Sequence, residues 1–383
     1  MQNFFDFDEA ERRKKEVDGR IEQLKSSDRD VYIFGAGEYA NKLKGFLEGQ
    51  NLLIKVFFVD DPYAAKVGAN PLSKIKECVN FCLVYGIGGG FSREYYKKID
   101  QLKKEVEKCA NSVFFVLPSD YSLVESGLLD IHHDVIDKIF LRDHIEEFKD
   151  TYEMLEDELS KNVMAEYLYG SICQDVSQLA NLGSSWEFDY DLNLLFGKCD
   201  EGVVIECGAF DGKTIAEISE FTKNKYEMIA LECDDDNFEK CCKRVKDFPN
   251  IHVVKLGAWD KRAKLAIIQQ DSASYLKEVD DCSEYENVVD VVNVDSLTSK
   301  RIAVLIMDIE GSELKALKGA QNAIKNGANL AIRVYHKKED LITIPQYIKS
   351  INANYKFYLR FERGANLCRT GDETTLYAIS ESP

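Results

Sequence analysis

The stretch Val203-Val204-Ile205-Glu206-Cys207-Gly208-Ala209-Phe210-Asp211-Gly212-Lys213-Thr214 reads as a buried strand that runs into a glycine turn and then a helix. The apolar run Val203 to Ile205 suits a central parallel strand. Gly208 and Gly212 carry no Cβ and let the backbone come close to a ligand. Glu206 places a carboxylate at the carboxyl end of the strand, the edge at which open α/β sheets bind ligands. An ordinary strand–turn–helix junction has the same pattern, so the rest of the chain has to decide between the two.

The composition of the 383 residues is that of a folded protein, 45% hydrophobic and 30% charged with only 6 Pro. Such a chain has room for two or three domains and for a substantial core. A formal net charge of -18 disfavours nucleic acid and anionic membrane surfaces as main partners. Met1 to Arg20 alternates acidic and basic residues and lacks the apolar region of a secretory signal. No apolar run is long enough for a transmembrane helix. The 11 Cys are odd in number and include no Cys-x-x-Cys pair, which fits reduced thiols in a cytoplasmic compartment.

Taken in order, Phe7 to Lys25 reads as a charged surface helix. Val31 to Phe34 is a strand, followed by Gly35-Ala36-Gly37 and a helix. Further strands are expected at Ile54 to Val59, ending in Asp60-Asp61, at Phe81 to Tyr85, ending in Gly86-Ile87-Gly88, and at Val113 to Leu117. This β-α-β-β-α-β alternation argues for a small parallel sheet. Residues 121–200 lack a strand pattern and read as several helices, whose aromatic and acidic end, Trp186 to Phe196, is placed to cover a cleft. Strands resume with Tyr226 to Glu232, Ile251 to Ala258, Ala303 to Ile309 and Asn329 to Tyr335, and Tyr355 to Phe361 and Thr374 to Ala378 form an antiparallel edge. Lys264 to Ile268 and Val288 to Val294 read as a hairpin insertion. A single helix is expected from Gly311 to about Asn326.

Successive strands of the C-terminal half each end in a polar or glycine-rich group. After Glu206 comes Leu231-Glu232, about 25 residues on, where an acid can accept hydrogen bonds from a ribose diol. Gly257-Ala258-Trp259-Asp260 offers an aromatic plane and an acceptor suited to an adenine ring. Met307-Asp308-Ile309-Glu310-Gly311 and Tyr335-His336 close the series. Each has a bland explanation as a cap, a turn or a surface residue. Jointly they mark one edge of one sheet.

On these residues the C-terminal half resembles the FkbM-type family of S-adenosylmethionine-dependent methyltransferases. The resemblance rests on Val204 to Gly212, Ala230-Leu231-Glu232, Val294-Asp295-Ser296-Leu297 and the run Ile306 to Ala320, with its Asp308-x-Glu310-Gly311-x-Glu313 core. It covers about Gly202 to Ser380. Phe210 stands where many methyltransferases have a third glycine. The resemblance implies a Rossmann-like methyltransferase sheet and methyl transfer to a hydroxyl. It also implies a donor site of Glu206, Gly208, Ala209, Phe210, Asp211, Gly212, Glu232, Ala258, Trp259, Asp260 and Asp308, with Glu206 accepting from the amino end of the donor. A sugar-like hydroxyl needs a base as its new bond forms, and Asp308, Glu310 and His336 are the candidates. His336 with Asp308 can form a base and orienter pair, or the three can hold a divalent cation that lowers the hydroxyl pKa. Glu313 is read as support for the helix start. Lys337-Lys338, Arg333, Arg360 and Arg363 are candidates for an anionic acceptor, and Ser272 and Ser274 border the donor region.

The N-terminal module carries its own fingerprint, Gly35-x-Gly37-x-x-Ala40 with Asp60-Asp61 after the next strand. It resembles the small Rossmann-like domain that handles nucleotide-linked sugars in sugar acyltransferases. Gly35-Ala36-Gly37, Val59-Asp60-Asp61 and Gly86-Ile87-Gly88 with Arg93 carry that likeness. A second ligand site of Gly35, Gly37, Asp60, Gly88 and Arg93 is then expected, and a structural or dimerisation role is the alternative.

The expected organisation is α/β throughout: a helix at 1–28, a small Rossmann-like domain at 29–120, a helical connector at 121–200 and a methyltransferase domain at 201–383. The expected partner is a small-molecule or glycan-precursor acceptor, with a homo-oligomer open. The competing readings are a nucleotide-sugar oxidoreductase or epimerase using NAD through the N-terminal fold, and a binding protein without catalysis.

Overall fold

The computed structural model describes residues 4–87, 93–115, 136–173, 178–179, 182–183, 190–197, 199, 201–270, 273–279, 285, 287–362 and 374–381. The chain divides into two compact units. The first takes residues 1–131, 165–185 and 363–372, and the second takes 132–164, 186–362 and 373–383.

The first unit is built on β1 (Asp30–Phe34), β2 (Ile54–Val59), β3 (Asn70–Pro71), β4 (Phe81–Tyr85) and β5 (Val113–Phe115) in the order β3-β2-β1-β4-β5. Every pairing is parallel. The β1 residues alternate between two cores: Val31 and Ile33 pack with Leu43 and Leu47, while Tyr32 and Phe34 pack with Phe81 and Leu102. A strand covered on both faces has to be apolar at every position, and its sequence is a continuous apolar run for that reason. Between β2 and β4 the expected β-β step gains a helix, Asp61–Val67, and the two-residue β3. Pro62 stands in the helix's first turn and Gly68 ends it in the left-handed region at φ 66°, a start and stop pair legible in the sequence.

In the second unit the central sheet uses β6 (Val203–Cys207), β7 (Glu227–Leu231), β8 (Ile251–Val254), β13 (Ile302–Met307), β14 (Asn329–Arg333), β15 (Tyr355–Phe361) and β16 (Thr374–Ser380). Their order is β15-β16-β14-β13-β6-β7-β8, with β16 antiparallel to both neighbours and the remaining pairs parallel. The sheet is mainly parallel and has the antiparallel edge expected from the sequence. The chain leaves β6 toward β7 and later returns to its other side as β13. That reversal opens a crevice at the carboxyl ends of β6 and β13.

A second sheet, of β9 (Gly257–Trp259), β10 (Ala263–Gln270), β11 (Ala273–Lys277) and β12 (Val288–Asn293), has the order β11-β10-β12-β9. The expected single strand from Ile251 to Ala258 is therefore two. Leu256 N–H bonds back to the Val254 carbonyl at 3.0 Å, and the chain leaves one sheet for the other at that turn. The helix expected from Gly311 to Asn326 is also two, Glu313–Lys318 and Gln321–Lys325. At the break, a Cβ on Gly319 would lie 2.1 Å from the Trp259 carbonyl oxygen. Asp295 accepts from Asn322 N–H at 2.7 Å and Ala323 N–H at 3.0 Å, capping the second helix. Among the described residues, no helix is long and apolar enough to cross a membrane.

Candidate active site

The glycine turn after β6 is held against both neighbouring strands. Gly208 and Ala209 N–H groups donate to the Leu231 carbonyl at 3.0 and 2.9 Å. Gly208 has φ 86°, and a Cβ there would stand 1.9 Å from the Asp308 carbonyl oxygen. Gly212, at φ 79°, would meet Cys241 Sγ at 2.8 Å. The space these two glycines leave is thus filled by the protein's own atoms rather than kept for a ligand. Phe210 is left-handed at φ 49° and 61% exposed. Its backbone has the conformation that glycine adopts easily, which accounts for the glycine common at this position. Asp211 accepts from Lys213 N–H at 3.0 Å and pairs with Arg244.

Glu232 Oε2 accepts from Phe210 N–H and its Oε1 from Asp234 N–H, both at 2.8 Å. The acid expected at a ribose also pins the glycine turn. Glu206 differs. It is 3% exposed, and its Oε2 has no hydrogen-bond partner among the described residues. Burial, with Asp308 and Glu232 nearby, pushes its pKa up to about 8. A buried carboxylate oxygen without a donor is costly, and an ammonium group is the kind of ligand that relieves it.

Asp308, Glu310 and His336 come together, although not on strands. β13 ends at Met307 and β14 at Arg333. A turn with Glu310 at φ 52° and Gly311 at φ 86° brings the acids back toward the sheet end. His336 Nε2 lies 3.6 Å from both Asp308 Oδ1 and Glu310 Oε2. Its Nδ1 bonds to Glu313 Oε1 at 2.9 Å, and the same oxygen accepts from Ile309 N–H at 2.9 Å. Glu313, read from sequence as helix support, is therefore the carboxylate that orients the imidazole, a place expected for Asp308. Burial opposes a charge on His336, but Glu313, then Asp308 and Glu310, overcome it and raise its pKa to about 10. Asp308 Oδ2 faces Arg333 Nε at 3.5 Å.

Arg333 is buried, donates to Thr375 Oγ1 at 2.7 Å, and lies over the Tyr190 ring at 4.6 Å. It braces the site from inside instead of presenting charge to an anionic acceptor. Arg360 is likewise bound, to Asp157 and to Ser160 at 2.7 Å. Lys338 lies over the Phe140 ring at 5.0 Å. Tyr190, from the aromatic segment expected to cover the cleft, is fully buried beside Arg333, with Asp308 and Glu206 close enough to act on its hydroxyl. Trp186, Ser272 and Arg363 lie outside the described residues, as does the side chain of Ser274.

Ala258, Trp259 and Asp260 belong to the second sheet's end. Trp259 packs in a core with Leu265, Val289 and Val291. Its indole N–H donates to Glu278 at 3.0 Å, and Lys315 Nζ lies 5.3 Å from its ring centre. The ring read as an aromatic plane suited to adenine is packed against these side chains. Asp260 Oδ2 accepts from Lys315 at 3.1 Å, and its buried Oδ1 has no hydrogen-bond partner among the described residues.

In the first unit, Gly35 has φ 124°, and a Cβ would stand 2.4 Å from the Gly86 carbonyl oxygen. It lets the ends of β1 and β4 meet. Gly37 caps the Glu38–Gly49 helix with open space around it. Asp60 pairs with Lys98. Gly88 and the side chain of Arg93 lie outside the described residues.

The sequence reading places Glu313 at a helix start and Tyr190 in a covering aromatic segment, and assigns neither a role beside His336 or Arg333. The only signal for Glu313 was a third acid in the Asp308-x-Glu310-Gly311-x-Glu313 run, and its burial depends on the neighbouring strand.

Residues 206–357 match the model of the methyltransferase FkbM domain. A solved FkbM methyltransferase from Methylobacillus flagellatus KT is 20% identical, with 96% of this chain and 93% of that chain covered at a TM-score of 0.61. An rRNA methylase from Streptococcus thermophilus is 14% identical over 49% of this chain and 92% of that one, at a TM-score of 0.32. A Streptococcus mutans protein described as a methyltransferase, solved in complex with SAH, is 12% identical over 49% of this chain and 94% of that one, at 0.32. No curated protein matches the chain.

Proposed function

We propose, because residues 206–357 match the model of the methyltransferase FkbM domain, that this chain is a methyltransferase that uses S-adenosylmethionine to methylate a hydroxyl of a sugar, nucleotide-linked sugar or glycan precursor. The observation that carries the reading is the buried oxygen of Glu206, which has no hydrogen-bond partner among the described residues and lies close enough to Asp308 to feel its charge. The donor's ammonium group fits that oxygen. Glu232 keeps the turn closed and retains acceptor capacity for a ribose. Bound there, the donor supplies an electrophilic methyl group.

The residues do the positioning. Alignment of the hydroxyl with the methyl accounts for much of the acceleration in such a displacement. The hydroxyl proton needs an acceptor. His336, held as imidazolium by Glu313, is not a free base at neutral pH. Asp308, one-third exposed at the strand end, takes that role, with Glu310 beside it. His336 and Arg333 fix where Asp308 points.

In the first unit, the order β3-β2-β1-β4-β5 puts the Gly35–Gly37 turn at a topological switch point. The open helix start at Gly37 suits a phosphate, and the proposed ligand is the phosphate of a nucleotide-linked sugar. A cytoplasmic setting, where thiols stay reduced, completes the proposal.

Calorimetric titration with S-adenosylhomocysteine and with NAD tests the reading. Binding of the first alone supports it, and no binding of S-adenosylhomocysteine overturns it. Incubating the enzyme and donor with nucleotide-linked and free sugars, read by the mass gain of one methylene, identifies the acceptor.

A further inference from the structure

We propose that His336, Asp308 and Glu310 bind one divalent cation of the Mn2+ type, with Glu313 fixing the imidazole from behind. The proposal rests on the reading of this edge as the catalytic one and names what would assist the acceptor hydroxyl there.

The imidazole is 6% exposed, and its two nitrogens have different surroundings. Nδ1 is committed to Glu313. Nε2 has no hydrogen-bond partner among the described residues and faces two carboxylate oxygens at 3.6 Å each. That separation is too long for a hydrogen bond. Two ligands about 2.1 Å from one ion stand at most about 4.2 Å apart, so each carboxylate oxygen can share an ion with Nε2. Asp308 turns Oδ2 toward Arg333 and Oδ1 toward Nε2. Glu313 Oε1, shared between His336 and Ile309 N–H, stays behind the ring, the arrangement that orients metal-binding histidines.

One imidazole and two carboxylates suit Mn2+, Fe2+ or Zn2+ better than Ca2+. Charged groups at the site among the described residues include Asp308, Glu310, Glu313 and Arg333, with Glu206 close enough to interact with Asp308 and Lys337 and buried Asp340 close to His336. As the cation binds, the Nε2 proton leaves to solvent. A hydroxyl on the cation has a lowered pKa, which lessens the demand on the Asp308 oxygen that is not on the cation.

Mn2+ titration of the full chain, followed by the paramagnetic resonance of free Mn2+, tests the site. The wild type is expected to bind one equivalent. Asp308→Asn and His336→Gln are expected to raise the Kd at least tenfold, and Glu313→Gln roughly 10- to 100-fold. Should His336→Gln fail to fold, Glu310→Gln at a half-exposed position serves as the second variant and must also weaken binding. Substoichiometric binding, or the same affinity in Asp308→Asn and Glu310→Gln as in the wild type, overturns the proposal and points to diffuse attraction by an acidic chain. S-adenosylhomocysteine binding without Mn2+ binding sinks the cation site alone. Mn2+ binding without S-adenosylhomocysteine binding sinks the methyl-transfer reading alone.

Discussion

His336 Nδ1 donates to Glu313 Oε1 across 2.9 Å, and both side chains are buried. Neither could be buried alone, because an unpaired ion in the interior costs several kcal/mol. His336→Ala leaves the Glu313 carboxylate without its main partner and is expected to cost about 3 kcal/mol or more. Chemical denaturation measures this. Glu313→Gln keeps the shape and one hydrogen bond. It is expected to lower kcat roughly 10- to 100-fold with little change in KM or in the affinity for S-adenosylhomocysteine. An equal loss in donor affinity would mean that Glu313 shapes the donor site instead.

Glu206 is expected to trade stability for binding. Its pKa rises from an ordinary 4.5 to about 8 on folding. An acid raised in this way destabilises the fold increasingly as pH climbs from the lower value to the higher. Glu206→Gln should therefore melt higher than the wild type at pH 8, by an amount on the order of a few kcal/mol, and the difference should vanish below pH 4.5. The same variant should bind S-adenosylhomocysteine more weakly. Parallel thermal melts and titrations across pH check both halves.

Gly208→Ala is expected to destabilise by about 3 kcal/mol or more, since both the positive φ and the Asp308 carbonyl forbid a Cβ. Phe210→Gly two positions on relieves a left-handed phenylalanine and is expected to be neutral or stabilising by up to about 1 kcal/mol. Urea unfolding of the two variants compares them directly.

Gly35 and Gly37 separate structure from binding in the first unit. Gly35→Ala should disrupt the meeting of β1 and β4 and lower the melting temperature. Gly37 has extended backbone and open space, so Gly37→Val should fold normally. It should also abolish stabilisation by a nucleotide-linked sugar. Thermal shift in both variants with and without that ligand decides the matter, and unchanged stabilisation in Gly37→Val would remove the second site.

Arg333→Met removes the buried cation from Glu362, whose pKa burial pushes to about 7. A loss of about 3–5 kcal/mol is expected, with part regained in Arg333→Met/Glu362→Gln because the second change removes the stranded charge. Denaturant midpoints of the single and double variants measure it.

The sheets were legible because their strands are short runs of apolar residues that must be buried on both faces, and such runs as Ala303 to Ile309 admit few other readings. The places where the reading failed share a cause. Ile251 to Ala258 is one apolar run locally, and only the turn at Val254 and the pairing of β9 with β12 divide it between sheets. The helix after Gly311 breaks at Gly319 because the Trp259 carbonyl packs there. Trp259 reads as a plane suited to adenine because nothing local reports that Leu265 and Val291 pack with it.

The sequence by itself determined the α/β class, the mainly parallel sheet with its antiparallel edge, and the strand ends that carry Glu206, Glu232, Asp308 and His336. Strand periodicity, glycine turns and the polar residues after each strand are local properties. Tertiary structure decided what those residues do. The partnering of His336 with Glu313, the burial of the Glu206 carboxyl and the bracing of Asp308 by Arg333 depend on which strands lie side by side and how deeply their ends are buried. Burial and long-range pairing set the pKa and the orientation of each group, and neither is a property of a residue's neighbours in the chain.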